Sequence, residues 1–273
     1  MSLRSRIFPW ALFWLAALSL TIWWLWSDAE RTSRRYLESA EQKWVNEDYL
    51  GAIHDYEKII DDYPRSRLVP EAYYWRGVAY FLYLDNTQRA IASFNKSIQG
   101  TPSPLDKGRA LEAHLYIAEI YEKKLNQPKE AIAAYERVME ISPDPDQILE
   151  IQYKVGEIYF DLGDMAQARV EWDLLVKKDP ESRWAPAALY RQGSTYFVVG
   201  NCSKAVEIYQ TLYTEYPEHE MSLFAKFRTA NCLEENQRLT EALQLYKELE
   251  GHYPDRELIT GKIGRLEDLT HGS

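Results

Sequence analysis

The chain has 273 residues, 46% of them hydrophobic, with 42 acidic against 32 basic side chains. The apolar fraction excludes a disordered chain, and two Cys exclude a disulfide framework or a four-thiolate zinc site. The net charge of −10 argues against nucleic acid as a partner, because replacing phosphate counterions takes a basic face.

From Ile7 to Trp26 runs a stretch of 20 residues without a charge. About 20 apolar residues cross a bilayer as a helix, so the stretch reads as one transmembrane helix. Trp10 and Trp14 lie near one end and Trp23, Trp24 and Trp26 at the other, where indole rings favour the membrane interface. A cleaved signal peptide fits less well, since its apolar region is shorter, and no Cys follows to carry a lipid. Arg4 and Arg6 favour a cytoplasmic N-terminus, whereas Arg31, Arg34 and Arg35 pull the other way. The expected arrangement is a single-pass anchor in a bacterial inner membrane with the soluble part periplasmic. Residues 1–27 form the cytoplasmic tip and anchor, and the rest carries a net charge of −12.

An internal repeat follows. Ala, an aromatic residue four positions on, and Pro eight positions later occur as Ala52, Tyr56, Pro64; Ala90, Phe94, Pro102; and Ala131, Tyr135, Pro143. They recur as Ala168, Trp172, Pro180; Ala205, Tyr209, Pro217; and Ala242, Tyr246, Pro254. The steps are 38, 41, 37, 37 and 37 residues, and a period of this size marks a helical repeat. Before each Ala, a small residue precedes an aromatic or apolar one by three: Gly77 and Tyr80, Ala118 and Tyr121, Gly156 and Tyr159, Gly193 and Tyr196, Ala230 and Leu233. The first unit is degenerate, with Ala40 and Lys43. Gly163 and Gly200 fall where a helix C-terminus needs a residue tolerant of positive φ. Each unit reads as helix, tight turn, helix and a Pro-marked stop, with small residues allowing close approach and aromatics beside the crossing. Such hairpins bury their apolar stripes only by stacking.

These residues resemble the tetratricopeptide repeat family, best over Gly156–Pro180 and Gly193–Pro217. The period exceeds the family's usual 34 by about three. The extra residues follow the Pro, as in Tyr63-Pro64-Arg65-Ser66 and Asp179-Pro180-Glu181-Ser182, and look like repeats of bacterial cell-envelope proteins of the β-barrel assembly and Tol–Pal coordinator type. In layout the chain is also similar to the single-span subunit that attends the bacterial secretion translocon. The resemblance implies an all-α fold: a right-handed α-solenoid of about six units after one transmembrane helix. The units within 28–254 are about 33–64, 70–102, 111–143, 149–180, 186–217 and 223–254. Residues 255–273 form a capping helix and tail, with an apolar stripe of Leu258, Ile259, Ile263, Leu266 and Leu269.

No catalytic pattern stands out. His54, His114, His219, His252 and His271 include no i, i+4 metal pair, and there is no phosphate loop or nucleophile elbow. The expectation is no enzyme, no cofactor, no metal and no small-molecule substrate. Cys202 and Cys232 fall on helices expected to be antiparallel neighbours, which leaves a disulfide staple and two buried thiols both open.

Binding remains. In the family the first helix of each unit lines a concave groove. Carried over by position, it holds Tyr74, Phe81, Leu115, Glu122, Tyr153, Phe160, Tyr190, Phe197, Phe227 and Glu234, with Glu119, Glu157, Ser194 and Asn231 one position after the small residue. This predicts an aromatic groove with acidic edges, suited to a protein segment carrying apolar and basic residues. The family's carboxylate-clamp positions hold Tyr, Leu and Phe here. The reading is a membrane-anchored scaffold that helps assemble or position an envelope complex. The alternatives are a cytoplasm-facing adaptor or regulatory subunit, and a periplasmic chaperone-like accessory to export.

Overall fold

The computed structural model describes the backbone of residues 8–100 and 107–271, with side chains for only a few of residues 8–26. Every described element is helical. The chain divides into two compact units, one up to Ile141 and one from Ser142. The first holds α1 (Phe8–Val45), α2 (Tyr49–Asp62), α3 (Val69–Leu82), α4 (Thr87–Gln99), α5 (Lys107–Glu119) with a π-helical turn over Ile120–Lys124, and α6 (Pro128–Ile141). The second holds α7 (Pro145–Asp161), α8 (Met165–Lys178), α9 (Ala185–Val198), α10 (Cys202–Glu215), α11 (Glu220–Glu235), α12 (Leu239–Leu249) and α13 (Arg256–His271). Within each unit, helices pack on their neighbours in chain order.

The expected anchor over 7–26 falls mostly outside the described side chains, as does Pro102 of the second repeat. Among the described residues no helix is long and apolar enough to cross a membrane. α1 runs without interruption from Phe8 to Val45, across residue 27 and into the first repeat. No Pro or Gly lies between Pro9 and Gly51, and Ser27-Asp28 is tolerated inside a helix.

The repeat residues form the core. Ala52, Ala90, Ala131, Ala168, Ala205 and Ala242 are fully buried, and none of Tyr56, Phe94, Tyr135, Trp172, Tyr209 and Tyr246 is exposed by more than 2%. In the three units whose small residue is a glycine, the aromatic of the second helix lies over it. A Cβ added to Gly77 would sit 2.8 Å from the Phe94 ring, and Cβ atoms at Gly156 and Gly193 would overlap the Trp172 indole and the Tyr209 ring. The rings occupy the space that a larger residue would take.

The turn between the paired helices uses a left-handed residue in all six units. Gly163 and Gly200 do so at φ of 80° and 74°, as expected. Glu47, Asp85, Asn126 and Gln237 adopt the same conformation with a side chain. In four of the turns, the Asp or Asn that follows then caps the second helix: Asp48, Asn86, Asp164 and Asn201 accept the N–H of Gly51, Arg89, Gln167 and Lys204. An Asx N-cap satisfies one of the four orphan donors at a helix start.

The sulfurs of Cys202 and Cys232 are bonded, with Cα atoms 5.4 Å apart, so α10 is stapled to α11. The last helix closes the stack through Ile259, Ile263 and Leu266, all buried against Ala230, Leu233, Tyr246 and Leu249. Leu258 and Leu269, expected in this stripe, are 39% and 51% exposed. The i, i+4, i+7 set alone faces inward, and these two lie off it. Beside the apolar contact, Glu234 accepts hydrogen bonds from Lys262 at 3.1 Å and from Arg265. Burial alone would raise the Glu234 carboxyl, but these two cations outweigh it and hold it below the usual carboxylate range.

Two outcomes follow from this packing. Gly193→Ala forces Tyr209 to move and should cost about 1–3 kcal/mol, whereas Gly261→Ala in α13, with no atom within 4 Å of the new Cβ, should gain about 0.5–1 kcal/mol. Thermal melts of the two variants should therefore shift in opposite directions, and equal shifts would contradict the crossing geometry. A depressed carboxylate contributes stability that is present above its unfolded value near 4.5 and is lost as pH falls through the lower folded value. Glu234→Gln should lower the melting temperature at pH 7 and lose less of it on acidification to pH 3.5 than the parent does.

Candidate functional site

The first helices of successive repeats present a common row of side chains. In the second unit this row crosses α7, α9, α11 and α13. Its aromatic members Tyr153, Phe160, Tyr190, Phe197 and Phe227 are all half-buried. Tyr153 leans on Trp172 and Trp184, with ring centroids 6.4 and 5.6 Å away. Its phenol is pushed up to about 12, mainly by burial and then by Glu157. Tyr190 meets Tyr209 at 5.8 Å and Phe224 at 6.4 Å, and Phe227 stacks on Tyr253 at 4.9 Å.

In the first unit two expected groove residues are interior. Tyr74 and Phe81 are 5% and 7% exposed. Tyr74 packs on Phe94 and Tyr116 and donates its hydroxyl to Glu112 at 2.5 Å, while Phe81 packs edge-on against Tyr116. Tyr116 covers both rings, so they fill the interhelical space rather than line an opening. Leu115 is half-buried.

The acidic edges do not persist as free charge. Glu157 takes a bidentate grip from Arg191, whose Nε donates at 2.5 Å. Glu122 accepts the Tyr135 hydroxyl at 2.5 Å, and Glu119 pairs with Lys123 at 2.8 Å. Glu234 is held by Lys262 and Arg265 and also accepts from Tyr246 at 3.2 Å. Asn231 accepts the Tyr246 hydroxyl at 2.6 Å, and Ser194 shares a 3.1 Å hydrogen bond with Tyr209. The carboxylates expected to greet a basic partner thus serve the stacking of helices. For Glu157 and Glu234 the compensating cations come from the next first helix, Arg191 from α9 and Lys262 and Arg265 from α13, and sequence reasoning passed over them.

Those cations form a second feature of the row. Arg191 lies over the Phe160 ring at 4.6 Å, and Arg228 lies over Phe197 at 4.9 Å in the same register one repeat later. Arg265 is the next of the series at the same 37-residue step. A guanidinium over an aromatic face gains about 0.5–2 kcal/mol and holds the ring in place. The repeat of Phe and Arg at that step was the available signal. Cys202, Cys232 and Glu235 place three ligand-type atoms within 4.8 Å of one another, but the two sulfurs are joined and offer no thiolate.

Two family models, both described as "Tetratricopeptide repeat", match the chain. One covers residues 37–104 and 190–257 and the other covers 112–145 and 150–182, together roughly three quarters of the sequence. No curated protein matches. Solved structures give the fold. The Naa15/Naa10 complex bound to HypK-THB aligns with a TM-score of 0.53 at 16% identity, over 88% of this chain and 34% of that one. YrrB, a TPR protein with an unusual peptide-binding site, aligns at 0.48 and 20% identity over 74% of this chain and 97% of its own. PilW, a widely conserved type IV pilus biogenesis factor, aligns at 0.45 and 16% identity over 86% and 98%. The six helix pairs, with their buried Ala and aromatic crossings, are the structural counterpart of those matches. The chain belongs to the tetratricopeptide repeat family.

Proposed function

We propose that the protein is a membrane-anchored scaffold that binds another protein along its first-helix row and positions it in a cell-envelope complex. The observation that carries the binding reading is the run of half-exposed rings Tyr153, Phe160, Tyr190, Phe197 and Phe227, aligned at the repeat spacing. Aromatic side chains offer large contact area at low entropic cost. Trp172 backs Tyr153 and Phe160, Tyr209 backs Tyr190, and Tyr246 backs Phe227, so little ordering of these rings remains for binding to supply. The protein is proposed to have no reaction of its own.

The anchor rests on the uncharged run from Ile7 to Trp26 and its Trp-rich ends. The extracytoplasmic side is favoured by the Cys202–Cys232 bond, because structural disulfides persist in oxidising compartments and are rare where thioredoxin and glutathione act. Arg31, Arg34 and Arg35 favour the opposite side and motivate a cytoplasm-facing adaptor as the second reading.

Both halves of the proposal have direct tests. A C-terminal alkaline phosphatase fusion should be active and a fluorescent protein fusion dark, and the reverse pattern would establish the adaptor. Alkylation of the protein from its native membrane should find no thiol until reductant is added. Reduction should then cost about 2–4 kcal/mol of stability for a bridge across a 30-residue separation, read as a lower melting temperature. A photo-crosslinking amino acid at Phe160 or Phe197 should trap a discrete partner in cells, whereas one at the outward Val170 or Leu174 should not. Crosslinks from the outer positions alone would overturn the groove.

A further inference from the structure

The row across α7, α9, α11 and α13 repeats its arginine every 37 residues, but not its carboxylate. Arg191 meets Glu157, 34 positions earlier, and Arg265 meets Glu234, 31 positions earlier. At the two equivalent places before Arg228 stand Ser194 and Phe197. Among the described residues Arg228 makes no ion pair or hydrogen bond, and its contact is the Phe197 ring. It is nevertheless half-buried, in the middle of the row.

Its surroundings are rich in donors. The hydroxyls of Tyr190 and Tyr253 make no hydrogen bond among the described residues. Phe224 contacts both rings, 6.4 Å from Tyr190 and 5.6 Å from Tyr253, which brings the two phenols to one place beside α11. Burial raises the Tyr253 phenol, Tyr190 adds to this, and Arg228 opposes it. Burial likewise pushes Tyr209 up to about 12, and Arg228 again works against the shift. Asp255, the carboxylate that acts on Tyr253, accepts the Leu258 N–H at 2.9 Å and so caps α13. Phe224 and Phe227 wall the place at 5.6 and 4.9 Å from the Tyr253 ring.

We infer that Arg228, with Tyr190 and Tyr253, is a binding subsite for an aspartate or glutamate side chain of an extended partner segment, with Phe197, Phe224 and Phe227 taking an adjacent apolar residue. The occupant follows from the register. Both neighbouring arginines of the series are satisfied by a glutamate carboxylate supplied in cis, and here the chain supplies none. A bidentate guanidinium–carboxylate pair is the geometry that position already uses at Arg191. The inference deepens the groove reading and rests on it. It also reverses the expected sign of the partner at this point, from basic to acidic.

The test uses the full chain in detergent and a library of random dodecapeptides with acetylated and amidated ends. Bound peptides should carry Asp or Glu beside an apolar residue, enriched about tenfold over the input, the scale of one charge-assisted pair. Arg228→Gln should abolish the enrichment. Ser194→Glu should do so as well, because it installs in α9 the carboxylate that Glu157 supplies in α7. Bound peptides without acidic preference, or a preference that survives both variants, would overturn the subsite and leave the groove standing. Binding of no peptide by any form would overturn both. A preference that appears only with free C-termini would overturn the side-chain assignment.

Discussion

Everything in this chain depends on how closely two helices of one repeat approach. The approach is set by a small residue on each side, such as Gly193 facing the helix of Ala205, and by one ring laid across the crossing. Space for the ring exists only because the glycine has no Cβ. Close packing at this point leaves no slack, so the ring has one position and the first helix has one rotation about its axis. That rotation decides which side chains of the first helix reach solvent. The half-exposed row of Tyr153, Tyr190 and Phe227 is therefore a consequence of the buried crossing, not a separate design.

Polar groups then follow the same register. Four second-helix aromatics with a polar end find a partner at their first helix: Tyr135 on Glu122, Trp172 on the Tyr153 carbonyl, Tyr209 on Ser194, Tyr246 on Asn231. A buried hydroxyl without a partner costs about 1–3 kcal/mol, so these bonds keep the bulky residue compatible with burial. The carboxylates that look free in the sequence are taken up in the same way, by the next repeat's cations, or, for Glu119, by Lys123 one turn on. Charge counted along the chain thus overstates the charge presented on the row.

This explains what was legible in the residues and what was not. The six crossings could be read because one constraint, small against aromatic, recurs at fixed spacing. The left-handed turn was legible at Gly163 and Gly200 alone. Glu47, Asp85, Asn126 and Gln237 adopt it without a glycine, and at Glu47 and Asp85 the cap that follows, Asp48 or Asn86, repays part of the strain. The burial of Tyr74 and Phe81 was hidden because it depends on Tyr116 from the next repeat, a contact between units of sequence rather than within one. The fate of Glu157 and Glu234 was hidden for the same reason. Position within a repeat predicts which way a side chain points; only the neighbouring repeat determines whether it is covered or neutralised.

A stack of repeats is held by nearest-neighbour interfaces, so a weak interface must be repaired locally. The α9–α11 step lacks the glutamate that joins Arg191 to the preceding helix, and a half-buried cation left open at that step weakens it. The same step carries the disulfide, from Cys202 on α10 to Cys232 on α11. An exposed ion pair is worth about 0–1 kcal/mol, more when half-buried and bidentate, while a disulfide closing such a loop contributes about 2–4 kcal/mol. The covalent link more than offsets the missing pair. Departures from repeat consistency concentrate where a protein keeps a group for another purpose and restores the loss nearby. In this chain the departure is Ser194 in the place of a glutamate, the restoration is the Cys202–Cys232 bond, and the group kept open between them is Arg228.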